Sequence, residues 1–101
     1  MTKESAIQSY ILANLKKIPN SEWIKPTTTN SNGTQDILGH IQGYFIAIEV
    51  KKNDGIAHPT KLQDYRIRKT NFLGAFSFWT TSWEHTYSRL CEFSQEKGIS
   101  I

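Results

Sequence analysis

Two short apolar runs, DILGHI at residues 36–41 and YFIAIEVKK at residues 44–52, flank Gln42 and Gly43, and no other feature constrains the fold as much. Glycine at the join supplies the positive φ that a tight hairpin turn needs, so the runs read as paired antiparallel strands. A join this short fixes the register. With Ile41 facing Tyr44, His40 faces Phe45, Leu38 faces Ala47 and Asp36 faces Glu49. Opposed residues have Cβ atoms about 4.5–5.5 Å apart. Strand alternation puts Glu49 and Lys51 on one face and Ile46, Ile48 and Val50 on the other. Asp36, Glu49 and Lys51 are therefore expected to converge, inside a run otherwise suited to a core.

Two opposed carboxylates repel, and burying either without a partner costs several kcal/mol, so a purely structural sheet should avoid the pair. A divalent cation removes the objection. Magnesium binds through one or two carboxylates, keeps several waters and accepts phosphate oxygens as further ligands. It can lower the pKa of a bound water and neutralise charge building on a phosphoryl group. Lys51, on the same face, can position the attacking water or stabilise that charge.

The remaining segments supply a scaffold. Ile7, Ile11, Leu15 and Ile18 recur at helical spacing over residues 3–18, with Tyr10 widening the stripe and Pro19 and Asn20 closing it. A short extended piece at 22–26 leads into TTTNSNGT at 27–34, which reads as a loop. Pro59 suits the first turn of a helix running to about Phe72, with Leu62, Tyr65 and Phe72 facing inward. Gly74 ends it, AFSFWTTS at 75–82 reads as a strand, and Thr81 with Glu84 has capping-box spacing. Trp83, Tyr87, Leu90 and Cys91 then form the apolar stripe of a last helix ending at Gly98. The order helix, strands, helix, strand, helix implies an α/β or α+β arrangement, a small mixed sheet flanked by helices. At 101 residues, 38% hydrophobic, the chain has material for one core, and residues 1–101 are expected to form one domain.

The run QDILGHIQGYFIAIEVKKNDGIAHPTKLQ, with Asp36 thirteen residues before Glu49 and Lys51 two residues after it, resembles the core of the PD-(D/E)XK nuclease superfamily. Within that superfamily it is most similar to the VRR-NUC family. The resemblance implies a restriction-endonuclease-like core and a Mg2+- or Mn2+-dependent endonuclease acting on branched DNA such as four-way junctions. It implies Asp36, Glu49 and Val50 as metal ligands, Lys51 as the catalytic lysine, and Gln63 as the polar residue that the following helix projects toward the site. Glu4 matches the acid that the first helix of such nucleases often adds to the metal shell. Gln35 departs from the pattern, standing where a proline usually precedes the aspartate.

Ordinary readings stand beside these. Alternating Glu and Lys also decorates solvated sheet faces, Glu4 also suits a helix dipole, and Gln63 also suits a helix surface. The three histidines, His40, His58 and His85, lack ligand spacing, and Cys91 falls on an apolar stripe. Trp79, Trp83, Phe76 and Phe78 read as core or as part of a subunit interface. A net charge of +3 permits nucleic acid without establishing it. Lys52 after the strand and Lys61, Arg66, Arg68 and Lys69 on the next helix are the expected DNA contacts. So small a domain would meet a four-way junction most economically as a homodimer, one site per strand. A lone cysteine excludes an intrachain disulfide framework. No signal-like or membrane-length apolar block is present, and a cytoplasmic protein with no membrane partner is expected. The rival functions are a catalytically silent DNA-binding module and a nuclease subunit of a restriction or toxin system.

Overall fold

The computed structural model describes residues 3–26 and 35–101. Its elements are, in order, α1 (Glu4–Leu15), β1 (Ser21–Ile24), β2 (Ile37–Ile41), β3 (Tyr44–Val50), α2 (Lys61–Phe72), β4 (Phe76–Thr80) and α3 (Trp83–Lys97). The strands form one mixed sheet in the order β1-β2-β3-β4. β1, β2 and β3 are antiparallel neighbours, and α2 carries the chain over to β4, which lies parallel to β3. The helix-flanked mixed sheet is the arrangement expected. The run at 27–34 lies outside the described residues.

The hairpin has the expected register, with Ile41 against Tyr44, His40 against Phe45 and Leu38 against Ala47. Gln42 (φ 51°) and Gly43 (φ 87°) both take the left-handed conformation, the requirement of a two-residue turn matched to strand twist. Gly39 meets a different demand. A Cβ there would run into the Glu22 carbonyl and the Trp23 ring, so β1 can lie against β2 with Trp23 buried only because Gly39 has none. The extended piece near Glu22 is thus an edge strand of the sheet.

The two faces of the sheet are built differently. Ile37, Ile41, Ile46, Ile48, Val50 and Phe78 pack beneath Ile7, Ile11 and Leu15 of α1 and Leu90 and Phe93 of α3, forming the hydrophobic core. On the opposite face α2 lies over β3 and β4, and Ile67 is its one buried residue. Leu62, Tyr65 and Phe72 do not face inward as the pattern suggested: they are 42%, 47% and 87% exposed. Polar bonds hold α2 instead. Asn71 brackets Ser77 as a strand would, its Oδ1 accepting the Ser77 N–H and its Nδ2 donating to the Ser77 carbonyl, each at 2.8 Å. Such partners leave no apolar period, which is why hydrophobic spacing misassigned the inward face.

Three further boundaries differ from expectation. The first helix ends at Leu15, and Tyr10 is exposed while Gln8 is buried. Pro59 precedes the N-cap of α2, Thr60, whose capping box with Gln63 is fully formed. α3 is capped by Ser82, whose side chain accepts the His85 N–H, so the Thr81–Glu84 spacing is not used as a box. Tyr87 also lies outside the core stripe, which α3 makes from Leu90 and Phe93.

Candidate active site

The site lies at the end of β3, where the hairpin, α1, α2 and β4 meet. Glu49 is only 2% exposed, in a strand paired on both sides. Asp36 precedes β2, one position beyond the last strand pair, Ile37 with Ile48, where the same count sets it against Glu49. Its Oδ2 accepts the Val50 N–H at 2.8 Å, so the carboxylate is anchored to the backbone beside Glu49 as well as facing it. Lys51 follows, half-buried, its N–H donating to the Thr80 carbonyl at 2.9 Å.

The electrostatics of Glu49 are those of an acid missing a partner. Its pKa is raised from 4.5 to about 8, first by burial, then by the negative charge of Asp36 and a hydrogen bond to Asp36 that the protonated form makes. Lys51 opposes the rise, and Glu4 adds the smallest contribution to it. Oε2 of Glu49 accepts a 2.8 Å hydrogen bond from Gln63 Nε2. Oε1 is buried and has no hydrogen-bond partner among the described residues. A buried carboxylate oxygen without a donor, beside a second carboxylate, is a hard anionic oxygen site of the kind Mg2+ or Mn2+ takes. The residues fit the cation.

The other expected residues fall into two groups. Gln63 meets Glu49 directly. Val50 has a fully buried side chain, so only its main-chain carbonyl could serve a cation. Glu4, in the first turn of α1, reaches Glu49 as a charge, and among the described residues no three His, Cys, Asp or Glu side chains gather into a metal cage. Lys52, Lys61 and Lys69 are exposed, Arg66 is half-buried, and all but Lys52 lie on α2. The histidines stand apart: His40 lies 3.6 Å from Glu22, His58 Nδ1 meets the Pro59 carbonyl, and His85 Nδ1 meets Thr80 Oγ1.

Two supporting residues were missed by sequence reasoning. Gln35 is buried, and its Nε2 reaches Thr70 Oγ1 at 3.2 Å and Ser77 Oγ at 3.3 Å, tying the residue before Asp36 to α2 and β4. Proline would hold this position through its ring; Gln35 holds it through its amide. Thr60 is the second, since its N–H fixes Gln63 Oε1 at 2.9 Å. The T-x-x-Q spacing at Thr60 was the available signal.

The fold matches a solved VRR_NUC domain with a TM-score of 0.72, over 91% of this chain and 97% of that one, at 24% sequence identity. No family model and no curated protein matches the sequence. The chain thus has the fold of a VRR_NUC domain, with three helices flanking a four-stranded mixed sheet among the described residues. Among the described residues no helix is long and apolar enough to cross a membrane.

Proposed function

We propose that residues 1–101 act as one nuclease domain, a Mg2+- or Mn2+-dependent endonuclease hydrolysing DNA phosphodiester bonds, with branched DNA such as four-way junctions as substrate. The observation that carries this reading is the buried Oε1 of Glu49, unpartnered among the described residues, beside the Asp36 carboxylate, with Lys51 just past the end of the strand. Asp36, Glu49 and the Val50 carbonyl would hold the cation, with Glu4 contributing negative charge from α1. When bound, the cation supplies charge against the scissile phosphate and lowers the pKa of a water.

The chain's own groups do the rest. Gln63 occupies Oε2 of Glu49 and leaves Oε1 for the cation. The Val50 N–H holds Asp36 by Oδ2. Lys51 offers an ammonium to the attacking water or to the oxygens that gain charge in the transition state. Lys52, Lys61, Arg66 and Lys69 offer phosphate contacts that position the strand. A two-fold dimer would present two such sites to the two strands of a junction.

Purified protein incubated with duplex, flap, splayed and four-way junction DNA, in Mg2+, Mn2+ or EDTA, tests the proposal. Metal-dependent cutting of the branched substrates is expected. No cutting of any substrate in either metal would leave a DNA-binding module. Light scattering of the same protein at micromolar concentration, with and without junction, tests the dimer, and a monomer of 11.6 kDa throughout would exclude it.

A further inference from the structure

The outer face of α2 carries aromatic rings beside the phosphate contacts of Lys61 and Lys69, and the site leaves those rings without a task. Gln63, Ile67 and Thr70, at helical spacing, face the sheet. The opposite stripe is Lys61, Tyr65, Arg68 and Phe72, at positions i, i+4, i+7 and i+11. Cations and aromatic rings therefore alternate along a face that none of the described residues covers, with Phe72 87% and Tyr65 47% exposed. Lys69 Nζ stands 5.7 Å from the centre of the Tyr65 ring. Asp64 is the helix's one acid, and it is engaged by Arg68 Nε at 3.0 Å.

Charge identifies the occupant. α2 holds four basic residues and one acid, a balance of +3, and the remainder of the chain holds eight of each sign. The whole net charge of the protein resides on this helix. A second copy docking here about a two-fold axis would set +3 against +3, whereas a polyanion would be drawn to it. Plain duplex would engage the cations and leave the rings idle, because paired bases hide their faces. An unpaired strand offers both phosphates and bases, and base–aromatic stacking between cationic side chains is how single strands are held without sequence preference.

We infer that the outer face of α2 is a single-stranded DNA platform, on which Tyr65 and Phe72 stack unpaired bases and Lys61, Arg68 and Lys69 hold the phosphates. This deepens the nuclease reading and rests on it for the biological substrate: Gln63, in the first turn of α2, touches Glu49, so a strand on the platform leads toward the carboxylates. The two rings are seven residues apart, about 10 Å along the helix, so each takes its own base. Selectivity for branched DNA would then come from its unpaired nucleotides.

The test is binding in EDTA, where cleavage does not intervene. Fluorescence anisotropy of labelled oligothymidylate and of a duplex of equal length is measured at several salt concentrations for wild type, Tyr65→Ala, Phe72→Ala, Tyr65→Phe and Lys61→Ala. Each ring-to-alanine change should lower the ratio of single-strand to duplex affinity about 5- to 100-fold, and Tyr65→Phe should restore it. Lys61→Ala should weaken both ligands and reduce the salt slope by about one. Ring variants that keep the wild-type ratio, or a wild-type dimer that Phe72→Ala dissociates, would overturn the platform. Single-strand binding that depends on the rings, with no cleavage in Mg2+, would refute the nuclease and leave the platform. Junction cleavage by a protein whose ratio the rings do not affect would do the reverse.

Discussion

Gln63 Nε2 donates to Glu49 Oε2 at 2.8 Å while the other end of the same carboxamide, Oε1, accepts the Thr60 N–H at 2.9 Å. The start of α2 and the orientation of a candidate metal ligand are therefore one arrangement. The capping box turns Gln63 so that its amide group, not its carbonyl, meets Glu49.

This coupling separates two variants. Gln63→Ala removes both bonds, and cleavage or Mg2+ affinity should fall about 10- to 100-fold. Gln63→Glu keeps an acceptor for Thr60 but sets a third carboxylate against Glu49, so α2 should persist while activity drops as far. Melting curves and single-turnover cleavage distinguish the outcomes. Gln63→Ala with a lowered melting temperature and unchanged cleavage would reduce Gln63 to a cap.

Much of this centre was legible in the sequence and part was not, for physical reasons. A two-residue turn fixes every later pairing, so the convergence of Asp36 toward Glu49 followed from Gln42 and Gly43 alone. The α2 face did not follow, because Leu62, Tyr65, Ile67 and Phe72 define no single stripe and Asn71, Thr70 and Gln63 hold the helix by hydrogen bonds. The T-x-x-E spacing read as a capping box, Thr81–Glu84, is not used, and the T-x-x-Q spacing left unread, Thr60–Gln63, forms the box. The bond from the Val50 N–H to Asp36 has no sequence period at all.

The raised pKa of Glu49 makes stability of the metal-free protein depend on pH. Folding holds a proton on Glu49 up to about 8, whereas the ordinary carboxyl loses it near 4.5. The folded state thus binds more protons across that window, and stability falls as pH rises through it. The contribution is complete below 4.5 and lost above about 8. Glu49→Gln should remove this slope in EDTA and be more stable than wild type at the alkaline end. Melting both proteins across the window checks it; parallel curves would mean that Glu49 is not strained. Added Mg2+ should stabilise wild type increasingly with pH, since the cation competes with the proton.

Lys51 should separate chemistry from binding. Lys51→Ala is expected to cut cleavage about 100- to 1000-fold, the loss typical of one removed electrostatic stabiliser. Magnesium affinity should persist when measured above the pH at which Glu49 has ionised. Below it the variant should bind Mg2+ more weakly, because the Lys51 charge is what opposes the rise in the Glu49 pKa. Calorimetric titration on either side of pH 8 reads both effects. Wild-type cleavage by Lys51→Ala would place the chemistry elsewhere.

Asp36 has two tasks, and two substitutions divide them. Its Oδ2 accepts the Val50 N–H at 2.8 Å, and its charge raises the pKa of Glu49. Asp36→Asn can keep the first through the amide oxygen and removes the second, so in EDTA at neutral pH its melting temperature should lie above wild type. For a domain of this size each kcal/mol relieved is worth about 4–8 °C. Asp36→Ala also removes the charge but leaves the Val50 N–H without its acceptor, at a cost of about 1–3 kcal/mol, so it should melt below Asp36→Asn. Magnesium should then narrow or reverse the order of wild type and Asp36→Asn, because a cation bound to the folded state stabilises the protein that has both carboxylates. Thermal melts of the three proteins in EDTA and in Mg2+ are sufficient. Should Asp36→Asn melt below wild type in EDTA and gain as much from Mg2+, Asp36 would be an anchor for the Val50 backbone, and the two carboxylates would not share a cation.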